Sequence, residues 1–149
     1  MPRFGQKSLK NLEGVHHLLA KCALDVVKIY DISVTQGVRS TAQQQKLYAI
    51  GRTEQLDRNP VTKIDGVTRR SNHQVKEDGL GYAIDVNPFP IDFAALERYY
   101  MMWGIFYAVS QDVLKDSGYK LRWGGDWDGD NSFKDQNFND LPHIELIKV

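Results

Sequence analysis

Ser71-Asn72-His73-Gln74-Val75-Lys76-Glu77-Asp78-Gly79-Leu80-Gly81-Tyr82-Ala83-Ile84-Asp85 is the stretch on which the reading of this chain turns. Its second half alternates, with Tyr82, Ile84 and Val86 on one side and Ala83, Asp85 and Asn87 on the other, the pattern of a strand with one buried face. Asp85 therefore lies inside an otherwise apolar strand, and a buried carboxylate needs a cation or hydrogen-bond donors. His73 stands just before the glycine-containing turn that leads into this strand. At the other end of the chain, Asp140-Leu-Pro-His143-Ile-Glu145-Leu-Ile alternates again, with His143, Glu145 and Ile147 on one face and Ile144 and Leu146 on the other. Two imidazoles and one carboxylate suit a borderline-soft metal such as zinc, and they leave a fourth tetrahedral position free, as in catalytic rather than structural zinc sites. Spacing alone also leaves open four histidines scattered without function.

The bulk numbers set the frame. At 149 residues, 42% hydrophobic and 26% charged, the chain is one globular domain that can bury a core without staples. A formal net charge of +0 gives no electrostatic case for nucleic acid or an anionic membrane as the main partner. The single cysteine, Cys22, falls among apolar residues and reads as a small buried hydrophobe. No apolar run is long enough to span a membrane, and the basic N-terminus lacks the apolar segment of a secretory signal. The expectation is a protein made in a cytoplasm without membrane insertion.

Apolar residues at Leu9, Leu12, Val15, Leu19, Cys22, Val26 and Ile29 keep steps of three and four, which predicts one amphipathic helix over residues 9–30. His16 and His17 are adjacent, about 100° apart on that helix, and cannot comfortably share a metal. Residues 32–38 predict a short strand ending at Arg39, and Thr41 is read as the N-cap of a helix reaching Ile50, with Gly51 closing it. Residues 52–71 lack periodicity and predict a long surface loop, a length uncommon unless the loop shapes a site. Asn87-Pro88 is expected to stop the strand through Asp85. Asp92 is read as the cap of a helix over 93–117 with Phe93, Leu96, Tyr100, Trp103, Tyr107, Val109 and Leu114 in the core, and a short strand follows at 121–123. The fold class is thus α+β, a single domain with a small antiparallel sheet, helices packed on it, and the metal site at its open face.

Five motifs occur in order: Arg39 with Gln44, Leu47-Tyr48 and Gly51-Arg52-Thr53; Ser71-x-His73; Gly81-x-Ala83-x-Asp85; Trp123-Gly-Gly-Asp-Trp127; and Asp140-x-Pro142-His143-x-Glu145. Together they resemble the zinc-dependent D-alanyl-D-alanine carboxypeptidase and L-alanyl-D-glutamate peptidase family, and most of all its bacteriophage endolysin branch. The resemblance covers residues 34–146. It implies that His73, Asp85 and His143 hold zinc, that Asp140 is the catalytic base, and that Arg39 contacts substrate and steadies negative charge. Gln44 and Ser71 are expected beside the substrate, and Glu145, which shares a strand face with His143, is read either as orienting an imidazole from behind or as a structural or surface acid. In the family pattern His-x-x-Gly-x-Ala-x-Asp the first two ligands are seven positions apart; here they are twelve apart, so about five residues are inserted around 75–80.

The implied activity is cleavage of the L-Ala–D-Glu bond of peptidoglycan stem peptides, lysing a host cell. The enzyme is expected to be a monomer without a separate wall-binding domain, released to the wall through a pore made by another protein. The nearest rival is a D-alanyl-D-alanine carboxypeptidase on the same core; a rival of another class is a metal-stabilised binding module that does not cleave. The acid-rich segment containing Asp126, Asp128 and Asp130 loosely resembles a calcium loop, although Gly129 precedes the third aspartate instead of following it. The alternative reading is a solvated acidic loop; if calcium binds there, it would order the approach to Asp140 and His143 and so could switch activity.

Overall fold

A computed structural model describes residues 1–149. Its elements in chain order are α1 (Gln6–Asn11), α2 (His17–Val27), β1 (Ile32–Gln36), α3 (Thr41–Ala49), β2 (Ala83–Pro88), α4 (Leu96–Val113), β3 (Tyr119–Gly124) and β4 (Asp140–Lys148). The strands form one antiparallel sheet in the order β1-β2-β4-β3. The alternation read from the sequence sets its two faces. Ile84, Val86, Ile144 and Leu146 join Ile32, Val34, Leu121 and Trp123 in the core, where α2 and α4 pack together and α4 covers β2 and β3. Asp85, His143 and Glu145 lie on the opposite face. This is the expected α+β architecture.

The N-terminal half of the predicted helix is interrupted. Gly14 takes φ +76, a left-handed conformation that ends one helix, and His16 begins the next as its N-cap, its Nδ1 accepting the Leu18 N–H. His16 is buried, stacked on His17 and flanked by Tyr82 and Tyr119. Burial, followed by the charge of His17, pulls its pKa below the ordinary histidine value, consistent with a neutral ring acting as acceptor. Leu12, Val15, Leu19, Cys22 and Val26 reach the core as predicted, whereas Leu9 and Ile29 stay exposed.

The cap of α3 is Ser40, not Thr41. Its side chain accepts the Gln43 N–H while the Gln43 side chain accepts the Ser40 N–H, a reciprocal box worth about 1 kcal/mol. Helix α4 starts three residues later than predicted; of its expected core set Trp103 and Leu114 are buried and Tyr100 and Val109 pack against the core. Tyr99, Met102, Trp103 and Phe106 are inside, while Phe93, Leu96 and Tyr107 are exposed. Each buried large apolar side chain contributes about 1.5–3 kcal/mol, so this four-residue stripe outweighs the alternative. Strand β2 also runs through Pro88, because its last residues pair only with β1 and no ladder donor is required of the proline on the β4 side.

Candidate metal centre

Antiparallel pairing sets Asp85 directly opposite His143, so both side chains leave the sheet at one place. His73 arrives from the irregular segment between α3 and β2. Its Nε2 lies 3.4 Å from Asp85 Oδ1, and His143 Nδ1 lies 3.6 Å from the same oxygen. The ligand atoms of the three residues all fall within 4.8 Å of one another. At 3.4 and 3.6 Å the contacts are electrostatic rather than hydrogen bonds, and Asp85 Oδ1 is buried with no hydrogen-bond partner. A buried carboxylate oxygen left orphaned between two imidazole nitrogens fits a cation as its missing partner. The donor set, two nitrogens and one hard oxygen, fits zinc.

Each histidine is held from behind. His73 Nδ1 is 3.0 Å from the Gly37 carbonyl, which sets the tautomer with Nδ1–H donating and Nε2 free toward Asp85. Gly37 can stand there because it lacks a side chain: a Cβ would sit 1.7 Å from the Asn11 carbonyl oxygen. His143 Nε2 faces Glu145 Oε1 at 3.7 Å, and Glu145 is in turn held by Arg122 Nε at 2.8 Å and by the Asn72 amide. Arg122 and Glu145 are cross-strand partners on β3 and β4. Glu145 thus lies between Arg122 and the His143 ring.

The electrostatics follow from this packing. Burial raises the Asp85 pKa, but His143 and His73 outweigh it and hold the carboxyl well below its ordinary range. Burial lowers the His143 pKa, but Asp85 and Glu145 overcome it and push the value up to about 9. Asp140 lies at the start of β4, paired with Gly124, where a Cβ would come within 2.0 Å of the Asp140 carbonyl oxygen. Only glycine lets that backbone approach. Burial and then the charge of Asp85 raise the Asp140 pKa, while His143, His73 and Arg39 oppose them. A carboxyl raised in this way is suited to exchanging protons.

Arg39 lies within reach of the same field. Burial lowers its pKa, and Asp85 and Asp140 pull it back. Its Nη1 donates to Gln44 Oε1 at 2.8 Å, and its buried Nε has no partner. Gln44 and Ser71, expected to contact substrate, have their polar atoms committed inside the protein. Gln44 is fully buried, its other end donating to the Ile64 carbonyl at 2.7 Å, so it braces Arg39. Ser71 Oγ accepts the His73 N–H at 3.2 Å and shapes the turn that carries His73.

The inserted residues close on themselves. Lys76 N–H donates to the Leu80 carbonyl at 2.9 Å, and Gly79 N–H to the Lys76 carbonyl at 2.9 Å. The chain on either side is joined below this turn, with Tyr82 N–H reaching the Asn72 carbonyl at 3.3 Å. The insertion is therefore an excursion that leaves His73 against Asp85. The long loop predicted before it is also fixed: buried Gln74 accepts the Ser71 N–H and donates to the Gly66 carbonyl, as Gln44 does to Ile64. Asn72, Gly37 and Arg122 were not legible as supporting residues, since each works through a partner distant in sequence.

Asp126, Asp128 and Asp130 also come together, with ligand oxygens within 4.8 Å. Asp126 is buried, and its two oxygens accept the Gly129 and Asn131 N–H groups at 3.1 and 3.0 Å, which accounts for the shape of the loop. Trp127, the next residue, stacks on Phe138 with ring centres 6.3 Å apart and lies 5.4 Å from the His143 ring.

A family profile described as phage L-alanyl-D-glutamate peptidase matches residues 1–147. The chain belongs to that family. The L-alanyl-D-glutamate peptidase of Escherichia phage T5 is 29% identical over 150 residues, covering 97% of this peptidase and 98% of the relative. The peptidoglycan L-alanyl-D-glutamate endopeptidase CwlK of Bacillus subtilis (strain 168) is 30% identical over 128 residues, covering 78% of this chain but only 61% of CwlK. Among solved structures, the Serratia marcescens L-Ala D-Glu endopeptidase ChiX superposes with a TM-score of 0.66 at 24% identity, covering 97% of this chain and 90% of ChiX. That likeness shows a shared fold. No helix of this peptidase is long and apolar enough to cross a membrane.

Proposed function

We propose that this peptidase hydrolyses the amide between L-alanine and D-glutamate in peptidoglycan stem peptides, with zinc held by His73, Asp85 and His143. The observation that carries the reading is the orphaned Asp85 oxygen facing two imidazole nitrogens, with Asp140 and Arg39 in the same field. The names of the phage T5 and Bacillus subtilis relatives support the bond and the substrate. Bound there, zinc would polarise the scissile carbonyl and make water nucleophilic near neutral pH. Asp140 takes the proton of the attacking water and returns it to the leaving amine. Arg39, braced by Gln44, presents its charge to the oxyanion that develops. Glu145 holds the His143 ring in orientation.

We read the 149 residues as one catalytic unit with no separate wall-binding part within it, supported by a family match over 1–147. The phage description of the family supports host-cell lysis as the role. In this reading the enzyme acts as a monomer and reaches the wall through a pore made by another protein. In this reading calcium bound by Asp126, Asp128 and Asp130 would act as a regulator; an unchanged melting temperature and lytic rate on calcium titration would dismiss it.

The test is digestion of purified muropeptides and of outer-membrane-stripped Gram-negative cells by the protein as purified, chelated, and resupplied with zinc. The expected result is lysis that vanishes on chelation and returns with zinc, with mass spectrometry showing stem peptides released from L-alanine. Loss of a terminal alanine instead would indicate a D-alanyl-D-alanine carboxypeptidase. Zinc bound without any cleavage would indicate the binding module.

A further inference from the structure

Beside Arg39, on the β1 side of the metal centre, lies an open hollow of about 360 Å³ of which the chemistry described above uses only Arg39. Its lining combines opposite charges over an apolar floor. Arg39 and Lys46 supply cations, Glu54 an anion, and Leu47 and Ile50 the half-buried floor, with Gln36 at the edge nearest Asp85. None of the three charged groups is paired with another inside the hollow. The carboxylate of Glu54 has no salt-bridge partner, Lys46 has none, and the buried Arg39 Nε has no hydrogen-bond partner. The rim is nevertheless well placed: Glu54 N–H donates to the Ala49 carbonyl at 3.0 Å, and its own carbonyl accepts the Gly51 N–H at 2.8 Å. Lys46 projects from the last turn of α3. The opposite end of the cleft, past His143, is different in kind, being walled by the Trp127–Phe138 stack and the acidic 126–130 loop.

Resting on the function proposed above, we propose that this hollow is the subsite for the stem-peptide residue after D-glutamate, and that it selects a diamino acid bearing both an ammonium and a carboxylate. The two halves of the substrate differ in charge. On the amino side of the scissile amide are a neutral L-alanine and the sugar-linked lactyl group. On the carboxyl side are the free α-carboxylate of D-glutamate and then the diamino acid. The anionic half is attracted to Arg39 and Lys46 and repelled by Asp128 and Asp130, which sets the direction in which the peptide lies. The D-glutamate α-carboxylate meets Arg39. The aliphatic stem of the diamino acid covers Leu47 and Ile50, its ammonium faces Glu54, and its distal carboxylate faces Lys46. Lysine at the same position has the ammonium but lacks that carboxylate, so Lys46 is the residue that distinguishes the two wall chemistries.

The experiment compares steady-state cleavage of N-acetyl-L-Ala-γ-D-Glu-meso-diaminopimelate with that of the matching L-lysine tripeptide, using zinc-loaded native enzyme, Lys46→Ala, Lys46→Arg and Glu54→Gln. An exposed charge pair changes affinity by up to about five-fold. Native enzyme is expected to prefer the diaminopimelate peptide through KM, Lys46→Ala to lose about three- to five-fold of that preference, and Lys46→Arg to restore it. Glu54→Gln raises KM for both peptides and leaves their ratio in place. A purely structural role for Lys46 would lower kcat or melting temperature without moving the ratio. Cleavage of both peptides with a ratio indifferent to Lys46 overturns the subsite alone, whereas zinc-loaded native enzyme that cuts neither peptide overturns the function and the subsite with it.

Discussion

Asp85 and His143 are direct cross-strand partners on β2 and β4, and this register brings His143 Nδ1 to 3.6 Å from Asp85 Oδ1. Two of the three proposed ligands are thus fixed by the backbone ladder, and only His73 depends on a loop. The side chains alternate with a period of two, so a one-residue slip of β4 would turn His143 into the core and Ile144 into the site. Asp85→Ala removes the shared oxygen and leaves the imidazoles without their anionic partner. It is expected to fold but to lose zinc on dialysis, as measured by metal analysis alongside circular dichroism. Full zinc retention by this variant would show that the metal lies elsewhere.

The protonation of His143 predicts how metal, protons and stability are linked. Asp85 and Glu145 outweigh burial and raise its pKa to about 9, above the ordinary 6.5. A raised folded-state value means that this contribution to metal-free stability is fully present below 6.5 and is lost as pH rises through about 9. Zinc needs the neutral ring and takes over the role of the proton. Urea midpoints of the chelated protein should therefore fall between these pH values, while those of the zinc-loaded protein should not. Calorimetry at neutral pH, in buffers of different ionisation enthalpy, should detect proton release on zinc binding. Equal pH dependence for both forms would refute the linkage.

Gln44 predicts a variant that separates bracing from contact. Its amide joins Arg39 to the Ile64 carbonyl inside the protein. Gln44→Ala leaves a buried guanidinium and a carbonyl short of partners, an effect of about 1–3 kcal/mol on stability. The expected phenotype is a lower melting temperature with kcat reduced about ten-fold through a misplaced Arg39. Zinc content should not change. A loss of zinc would instead tie Gln44 to the loop that presents His73.

The parts of the site that were readable from sequence share a property: each announces itself locally. A carboxylate in an apolar strand at Asp85, an alternating final strand through His143 and an unusually long loop are all visible without knowing what packs where. Helix boundaries were less visible. Gly14 breaks a pattern whose apolar steps continue across it, and the face of α4 is chosen by the sheet beneath it, not by its own periodicity. The supporting residues were least visible of all. Arg122 meets Glu145 only once β3 and β4 are in register, and Gly37 matters only because Asn11 crosses it.

The closed turn at residues 76–80 predicts tolerance. Its backbone hydrogen bonds are internal, and the chain is rejoined by Tyr82 to Asn72 before the strand begins. Replacing Glu77-Asp78-Gly79 by a shorter glycine-containing turn removes the Asp78 contact with the Tyr82 hydroxyl at 2.5 Å but no contact of His73. Zinc affinity should stay within about three-fold, because shortening a surface loop changes closure entropy only slightly. Competition with a chelating dye would measure it. A larger loss would mean that the turn helps to position His73.

Glu145 offers the most discriminating prediction about the support behind the metal. It is buried, its carboxylate lies between Arg122, Asn72 and His143, and burial, which raises its pKa, is outweighed by His143 and Arg122. Glu145→Gln preserves volume and one acceptor oxygen but removes the charge that balances Arg122 and orients the His143 ring. The loss of such a support typically weakens metal binding or activity by about 10–100-fold. The expected result is zinc that is still bound at stoichiometry but exchanges more readily with chelator, together with reduced kcat. Arg122→Met tests the same element from the other side. It removes the guanidinium while keeping an apolar stem and leaves the carboxylate to His143 and the Asn72 amide, so zinc affinity should fall less than in Glu145→Gln. If Arg122→Met proves the more damaging, the Arg122–Glu145 pair is structural and the orientation of His143 is set by Asp85 and the sheet.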